Sequence, residues 1–374
     1  MSFRVAIVIG QLSYGGAERQ VSLLARGLVA AGWPATVICL SGDLEPFGVE
    51  LEQAGVPLRL VPRSRHYEPG RVLRLASLLR AEKVELIHSH LESANIYSYL
   101  ARPLAGRPAF IPSVRTRSLK TGLFEGALIG RSLKAGDYIH ANCLAAARTF
   151  AERYRIALTR FRVIHNGVNP FPETGREAKK AARQELGIPQ GRLVVANLSK
   201  DSPDKNIPAF LRLVRSLSSR LGNLTALVAG QGLDSSYAGR EKVAAAGGPE
   251  ILFLGPLRDV RPVFAAADLF VLTSIREGLP NVIMEAMVSG LPVVSYAVGG
   301  VGELVEDGVS GRLVPYGDEE GLFEAALGLL QDSALAQTLG AAGRRRMLEH
   351  FSMEKTVSGA TEMYLEVHRK RQHG

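Results

Sequence analysis

Short apolar runs alternate with segments of helical periodicity along most of the chain. In the first half, runs of strand length lie at 3–9, 35–40, 58–61, 86–90, 110–114, 138–141 and 162–165. Between several of them apolar residues recur at helical spacing, as in 17–31 and 72–79, and Gly32 ends the first of these patterns. Strands that are apolar on both faces and alternate with helices predict a parallel sheet covered on both sides.

This alternation stops once and then resumes. Residues 170–175 form a stretch rich in turn-forming residues, and a charged segment of helical character follows at 176–186. Further strand-like runs lie at 193–196, 225–229, 251–254, 269–273 and 292–296, and the tail from 318 onward has helical character only. The pattern predicts two doubly wound, Rossmann-like α/β domains facing a cleft, with ligands bound beyond the carboxyl ends of the strands.

The predicted boundaries follow from the same pattern. Residues 1–168 form the first domain, and 169–190 a linker. Residues 191–350 form the second domain, and 351–374 form a C-terminal helix that packs back on the first domain.

Composition places the chain among ordinary folded proteins. Of 374 residues, 46% are hydrophobic and 22% are charged. Cys39 and Cys143 are too few for a disulfide framework or a zinc cluster, so we expect two buried thiols. The first apolar run is too short to span a bilayer and lacks the layout of a signal peptide. We therefore expect a cytosolic protein.

Charge is distributed unevenly between the two halves. Residues 1–168 carry 22 Lys and Arg against 12 Asp and Glu, whereas the remainder carries 23 against 24. A basic first half indicates an anionic partner, either nucleic acid or a membrane surface. Aromatic residues make up only 6% and form no base-stacking pattern, which disfavours nucleic acid.

One basic segment also carries apolar residues, as expected of a surface that lies against anionic lipid. The basic residues are Arg117, Lys120, Arg131 and Lys134, and the apolar ones are Leu123, Phe124, Leu128 and Ile129. The alternative is a solvated charged face over a core helix.

Residues 274–287 are the segment richest in candidate chemistry. They follow the apolar run at 269–273, and Pro280 suits the first turn of a helix that Gly290 and Pro292 end. Free N–H groups near Asn281 and Val282 would form an anion site. Glu277 before the helix and Glu285 within it offer paired acceptors for sugar or ribose hydroxyls. A helix cap and a surface glutamate would have the same sequence.

The segment resembles the Glu-x7-Glu motif of the retaining glycosyltransferases of family four, which have the two-domain GT-B fold. Glu277 and Glu285 fall at its two positions. Other segments resemble the family in the same order, namely 15–19, 253–255, 266–269, 290–294, 298–305 and 308–315. The ordered series is more specific than any one of these short motifs.

The resemblance implies that the second domain binds the nucleotide sugar and that the first domain lies on the acceptor side. It also implies a set of donor-binding residues. Glu277 would lie beside the donor sugar, Glu285 would bind the ribose, and Lys205 would bind the diphosphate. The arginine that the family places with this lysine is absent: Asn197 stands at one candidate position, and Lys200 reads as a solvated loop charge. The predicted donor set is Gly15, Gly16, Asn197, Lys205, Gly230, Leu254, Glu277, Gly278, Leu279, Pro280, Asn281, Val282 and Glu285.

The first half departs from the family at Arg115, which stands where many members have a histidine. An arginine accepts no proton near neutral pH, but it can hold the leaving diphosphate or an anionic acceptor bidentately. It can equally be a strand-end residue in a salt bridge. We predict His90, Arg115 and Arg117 on the acceptor side, although strand-end histidines such as His88 and His90 are more often structural.

Together these features predict a metal-independent transferase. The catalytic candidates are Glu277, Lys205 and Arg115, and no Asp-x-Asp, HExxH, CxxC or P-loop motif indicates a metal or cofactor. A helix N-terminus and Lys205 would neutralise the leaving diphosphate. The resemblance implies retaining transfer of a hexose from a nucleoside-diphosphate sugar, with UDP favoured over GDP.

The predicted acceptor is a lipid-linked sugar or polysaccharide in cell-envelope or exopolysaccharide synthesis. The predicted location is the cytoplasm, with peripheral contact to the inner face of the plasma membrane. Two alternatives remain open, a nucleotide-sugar epimerase on the same scaffold and a non-catalytic nucleotide-sugar-binding protein.

Overall fold

The computed structural model describes residues 3–63, 70–115, 122–172, 175–240 and 249–373. The chain divides into two compact units. Met1–Gly167 and Met353–Gly374 form the first unit, and Val168–Ser352 form the second. No helix among the described residues is both long enough and apolar enough to cross a bilayer.

A parallel sheet forms the centre of the first unit. Its strands are β1 Val5–Ile9, β2 Ala35–Cys39, β3 Leu58–Leu60, β4 Leu86–His90, β5 Ala109–Val114, β6 Ile139–Ala141 and β7 Phe161–Val163. They pair in the order β3-β2-β1-β4-β5-β6-β7. The order reverses between β1 and β4, and ligands of such sheets bind beyond the strand ends at that point.

Helices cover both faces of this sheet. They are α1 Gly16–Ala30, α2 Phe47–Gln53, α3 Gly70–Ala81, α4 Glu92–Ala101, α5 Leu123–Lys134 and α6 Leu144–Tyr154. Successive side chains of β1 enter different cores: Ile7 and Ile9 join one core, while Ala6 and Val8 join the other. Burial on both faces explains why this strand is an unbroken apolar run.

The C-terminal helix, Met353–His373, belongs to the first unit. A Cβ atom on Gly27 of α1 would lie 2.5 Å from Val357 Cγ2, so the absence of a side chain there permits close helix packing. Tyr364 is fully buried, and the edge of its ring contacts Trp33.

The second unit repeats the architecture. Its strands are β8 Leu193–Leu198, β9 Leu224–Ala229, β10 Glu250–Phe253, β11 Leu269–Leu272, β12 Val293–Tyr296 and β13 Arg312–Val314. They pair in parallel in the order β10-β9-β8-β11-β12-β13, so the order reverses between β8 and β11. Its helices are α7 Arg176–Glu185, α8 Ile207–Leu221, α9 Ser235–Arg240, α10 Arg261–Ala266, α11 Asn281–Val288, α12 Val301–Leu304, α13 Glu319–Gln331 and α14 Ser333–His350, and the C-terminal helix is α15.

The predicted fold class, two parallel-sheet α/β domains, is confirmed, and both cysteines are buried free thiols as expected. The segment of helical character predicted at 176–186 forms α7, and the stretch predicted as a linker, 169–190, belongs to the second unit. Lys179 and Arg183 of α7 form ion pairs with Asp268 at 2.5 and 2.8 Å, which attach this helix to the second sheet. The short strand β13 did not appear among the sequence-based expectations.

Candidate active site

The loops after β8 and β11 meet because these strands are neighbours in the second sheet. The first loop contains a turn of 3₁₀ helix, Pro203–Lys205, and the second contains Glu277. The Thr273 hydroxyl donates to the carbonyl oxygens of Lys205 and the following residue, at 3.3 and 3.1 Å. These bonds join the two loops, and Lys205 Nζ lies 2.5 Å from Glu277 Oε1.

Two residues predicted as catalytic are therefore paired in a largely buried position. Relative side-chain exposure is 21% for Lys205 and 9% for Glu277. An ion pair held this far from water has a stronger field than one on the surface. The edge of the sheet thus has a fixed cation beside a fixed carboxylate at the point where the strand order reverses.

A third loop supports Glu277 from behind. Gly299 has φ +57°, and a Cβ atom there would lie 1.9 Å from the carbonyl oxygen of Glu277. The Gly300 N–H donates to the Gly278 carbonyl at 2.8 Å. Sequence reasoning gave Gly299 no site role, although it lies in the matched segment 298–305. The only signal of this role in the sequence was the adjacent pair Gly299 and Gly300.

Helix α11 begins at Asn281, and Pro280 is its N-cap residue instead of a first-turn residue. The Pro280 carbonyl accepts from the Ile283 N–H at 3.2 Å. Asn281 and Val282 are partly exposed, so the first turn is accessible. Glu285, one turn into the helix, is only 6% exposed. A partly exposed helix N-terminus followed by a buried carboxylate can bind an anionic group and the hydroxyls near it.

The other predicted donor residues of the second unit lie at the same edge of its sheet. Asn197 is fully buried, donates from Nδ2 to the Val271 carbonyl at 2.8 Å, and accepts from the Ser199 hydroxyl at 2.8 Å. Its side chain therefore joins β8 to β11. Lys200 is exposed, as expected of a solvated charge. Of the two lysines, Lys205 is the one that pairs with Glu277.

Gly230 and Leu254 follow β9 and β10. Gly230 has φ +144°, and a Cβ atom there would lie 1.8 Å from the Ser199 carbonyl oxygen. Its N–H donates to the Gly255 carbonyl at 2.8 Å, and the Leu254 N–H donates to Val228 at 2.9 Å. Loop packing alone therefore requires glycine at 230. Its donor role stays a prediction.

In the first unit, Gly15 is the N-cap residue of α1, and Gly16 is the first residue of the helix. A Cβ atom on Gly15 would lie 2.1 Å from Glu18 Oε2. Glu18 is 1% exposed, and Gln11 Nε2 donates to its Oε1 at 3.3 Å. Sequence reasoning assigned Glu18 no role, although an acidic residue in the first turn of a helix after two glycines was a usable signal.

Arg115 follows β5 and is 9% exposed. Its Nη1 donates to Asn166 Oδ1 at 2.8 Å. Arg117, predicted on the acceptor side, lies outside the described residues.

His90, also predicted on the acceptor side, is fully buried with His88 and His140. Burial lowers the pKa values of His88 and His90 well below the ordinary range. Burial and the charge of Arg115 lower the pKa of His140 to about 4. All three rings are therefore neutral near neutral pH.

Comparison with known proteins identifies the family. A family model described as glycosyl transferases group 1 matches residues 191–332, and one described as Glycosyltransferase Family 4 matches residues 14–170. The D-inositol 3-phosphate glycosyltransferase of Salinispora arenicola is 32% identical over an alignment of 319 positions, and the alignment covers 78% of this chain and 71% of that protein. The chain belongs to glycosyltransferase family 4.

Other known proteins also match this glycosyltransferase over most of its length. The N-acetyl-alpha-D-glucosaminyl L-malate synthase of Bacillus anthracis is 23% identical over 316 residues, covering 82% of this chain and 81% of that protein. The crystal structure of Anabaena HepE with UDP-glucose has a TM-score of 0.84 at 22% identity and covers 97% of this chain and 100% of that chain. The GT-B fold and the prediction of a hexosyltransferase-type enzyme are confirmed.

Three kinds of functional group lie at one edge of the second sheet of this glycosyltransferase: a cation, a helix N-terminus and carboxylates. The Lys205 cation and the first turn of α11 can each stabilise negative charge. The carboxylates of Glu277 and Glu285 can accept hydrogen bonds from hydroxyls.

Proposed function

We propose that the enzyme transfers a hexose, with retention, from a nucleoside-diphosphate sugar bound by the second unit. The observation that carries the proposal is the Lys205–Glu277 pair beside the first turn of α11. UDP is the favoured nucleotide, since the similar HepE of Anabaena was solved with UDP and with UDP-glucose. Glu285 would bind the ribose, and Glu277 would lie against the sugar.

In the proposed step, the bond between the anomeric carbon and the diphosphate oxygen breaks. The acceptor oxygen forms its bond to the anomeric carbon on the same face, and the acceptor proton passes to the leaving diphosphate. Negative charge thus develops on the diphosphate, where Lys205 and the helix N-terminus stabilise it more in the transition state than in the ground state. This step requires no metal ion.

A panel of nucleotides and nucleotide sugars at equal concentration tests the donor by thermal shift. UDP and UDP-hexoses should raise the melting temperature more than GDP and GDP-hexoses, because ligands that bind only the folded state stabilise it. A larger shift with GDP-hexoses would reassign the nucleotide.

Product analysis then separates the proposed reaction from its two alternatives. A transferase releases UDP from UDP-glucose and leaves glucose on the acceptor or on water. An epimerase would convert the sugar while UDP stays attached, and a binding protein would leave UDP-glucose unchanged. UDP release that disappears in Glu277→Gln would support the proposal, whereas epimerised UDP-sugar or no turnover would refute it.

We further propose an anionic acceptor that contacts the first unit. Residues 1–168 have ten more basic than acidic residues, and Arg115, which donates to Asn166 at 2.8 Å, has a guanidinium group that can bind an anion bidentately. The names of two relatives contain small anionic acceptors, D-inositol 3-phosphate and L-malate. The acceptor that the charge and the apolar surface together favour is a lipid-linked sugar or a polysaccharide in cell-envelope or exopolysaccharide synthesis.

An acceptor competition distinguishes these sources of negative charge. D-inositol 3-phosphate, L-malate and a polyprenyl-diphosphate-linked sugar are each supplied with the same labelled UDP-glucose. Transfer to the lipid-linked sugar is the expected result, and Arg115→Gln should raise the KM of any anionic acceptor. Transfer to inositol phosphate or malate alone would overturn the lipid-linked proposal.

We also propose that the enzyme is cytoplasmic and docks on an anionic membrane through the start of α5. Leu123 is 96% exposed and Phe124 is 77% exposed, and Arg131 and Lys134 on the same helix are exposed as well. Ile129 of this helix belongs to the core, whereas the large apolar side chains that are exposed, Leu123 and Phe124, lie in its first turn. Exposed apolar residues with basic neighbours fit the interface of an anionic bilayer.

Vesicle flotation tests this docking. The wild type should float with vesicles containing phosphatidylglycerol and not with neutral ones, and a Leu123→Ser, Phe124→Ser variant should lose most of the binding. Leu73→Ser is the matched control, because Leu73 of α3 is 59% exposed on a different helix. Equal losses in both variants, or no wild-type binding at low salt, would exclude docking through α5.

A further inference from the structure

Three buried histidines converge inside the first unit. His88 and His90 project from the same face of β4, and His140 comes from β6, two strands away in the sheet. All three side chains are buried, and one ring nitrogen from each lies within 4.8 Å of the other two. This group is formed by residues other than Lys205, Glu277 and Glu285.

Each ring is anchored through its other nitrogen. His140 Nε2 lies 3.0 Å from the Ile164 carbonyl, which can only accept, so the proton of neutral His140 is on Nε2 and its Nδ1 has a free lone pair. His88 Nδ1 lies 2.6 Å from the Tyr364 hydroxyl. His90 Nδ1 lies 3.2 Å from Ser113 Oγ. A carbonyl or hydroxyl partner on the outer nitrogen is how proteins orient metal-binding histidines.

The other nitrogens make one hydrogen bond and leave one atom without a partner. His88 Nε2 and His140 Nδ1 are 3.0 Å apart. His90 Nε2 is buried and has no hydrogen-bond partner among the described residues. Buried polar atoms without partners are rare in folded proteins and call for an explanation such as an ion.

We propose that His88, His90 and His140 bind one divalent transition-metal ion of the zinc or cobalt type. Two nitrogens at about 2.0–2.1 Å from a tetrahedral zinc are roughly 3.3–3.4 Å apart, close to the existing His88–His140 spacing. The His90 ring must approach by rotation. The His88 proton moves from Nε2 to Nδ1, and the Tyr364 oxygen then accepts it, so the three ligands stay neutral.

The charge around the site determines the rest of the coordination. No carboxylate or thiolate joins the three histidines among the described residues, so the fourth position is open to water or a small anion. The positive charge of Arg115 acts on all three rings and opposes a second cation. Because of that repulsion, we expect the fourth ligand to be an anion and the affinity for the metal ion to be moderate.

The ion has a structural role in this proposal. Hydrogen bonds already hold His88 and His140 without it, so the apo protein remains folded. Lys205, Glu277 and Glu285 lie in the other unit, so transfer without a metal at the diphosphate is compatible with this site. Failure of either proposal therefore leaves the other unaffected.

Cobalt titration of the full-length protein, freed of any polyhistidine tag and dialysed against chelator, provides the test. Co²⁺ should bind one to one and give the visible absorption of four-coordinate cobalt, and Zn²⁺ should displace it. His140→Phe should abolish this absorption, whereas His350→Phe, which removes a surface histidine, should preserve it. Arg115→Gln should tighten Co²⁺ binding several-fold, because it removes the nearby charge.

Three measurements keep the proposal refutable if His140→Phe fails to fold. X-ray absorption of the zinc-loaded wild type should show three imidazole ligands, and fewer than three would overturn the proposal. Absence of stoichiometric cobalt binding by the wild type would also overturn it, and the three rings would then form a hydrogen-bonded network only. Cobalt affinity unchanged or weakened in folded Arg115→Gln would contradict the placement of the ion beside that charge.

Discussion

Replacement of Lys205 with alanine tests the centre of the proposed donor site, and the same loop provides its control. Lys200 is five residues earlier in the chain and is exposed, whereas Lys205 lies 2.5 Å from Glu277. Both substitutions remove one positive charge from one loop. A difference between Lys205→Ala and Lys200→Ala therefore reports the position of the cation and not the net charge of the protein.

The expected magnitude follows from burial. Removal of one preorganised group that stabilises developing charge costs about 10²–10³ in kcat. Lys205 is 21% exposed, so solvent screens part of its field, and we expect the lower end, about 10²-fold. The donor Kd should change less, because the charge develops on leaving. Lys200→Ala should change kcat by less than about twofold, as expected for an exposed charge.

The same substitution also affects stability and must be separated from catalysis. Loss of Lys205 leaves the largely buried Glu277 side chain, 9% exposed, without this ion-pair partner. Breaking a fully buried pair costs about 3–5 kcal/mol, and the partial exposure of Lys205 reduces that figure. A Lys205→Ala, Glu277→Gln double variant should recover melting temperature and not kcat.

Release of UDP from UDP-glucose, followed with a coupled assay, gives kcat, and circular dichroism gives the melting temperature. Equal losses of kcat in Lys200→Ala and Lys205→Ala would refute the assigned role. Recovery of kcat in the double variant would show instead that Lys205 acts only through folding.

Three further outcomes are expected. Glu285→Ala should weaken UDP binding measured by calorimetry, since each unpaired ribose hydroxyl costs about 1–3 kcal/mol; unchanged affinity would remove Glu285 from the ribose site. Gly299→Ala should lower kcat strongly, because its Cβ would lie 1.9 Å from the Glu277 carbonyl oxygen, whereas Gly302→Ala, which meets no atom within 4 Å, should not. Transfer should continue at its full rate in excess EDTA, and a complete loss restored by Mg²⁺ would refute the metal-independent mechanism.

Local pattern was sufficient for most of the fold and insufficient for the contacts of the site. Strands such as β1 and β11 are buried on both faces, so all of their residues are apolar and the strand is recognisable in the sequence as an unbroken apolar run. Strand β13 has three residues, of which two are only partly buried, so its run is too short to be distinguished from a loop. The place of α7 depends on the ion pairs of Lys179 and Arg183 with Asp268, which lies 89 and 85 residues later, and local periodicity does not contain such pairs.

The placement of site residues was predicted better in the second unit than in the first. In the second unit, the order of motifs placed Lys205 and Glu277 on separate loops, but their contact depends on β8 and β11 being neighbours, a property of sheet order. In the first unit, the same kind of reasoning placed His90 at a strand end facing a ligand. The structure instead buries its ring beside those of His88 and His140, because β4 lies in the interior of the sheet and its side chains point into a core.

His140 was not singled out at all, because its strand has only three residues and nothing nearby marks a site. Its importance is visible only once parallel pairing through β5 sets β6 two strands from β4. Arg115 follows β5 itself, and its charge lowers the pKa of each of the three rings. The residue that departs from the family's histidine therefore lies next to three histidines that no motif connects. Any role assigned to Arg115 must account for that charge beside a buried neutral cluster as well as for an acceptor.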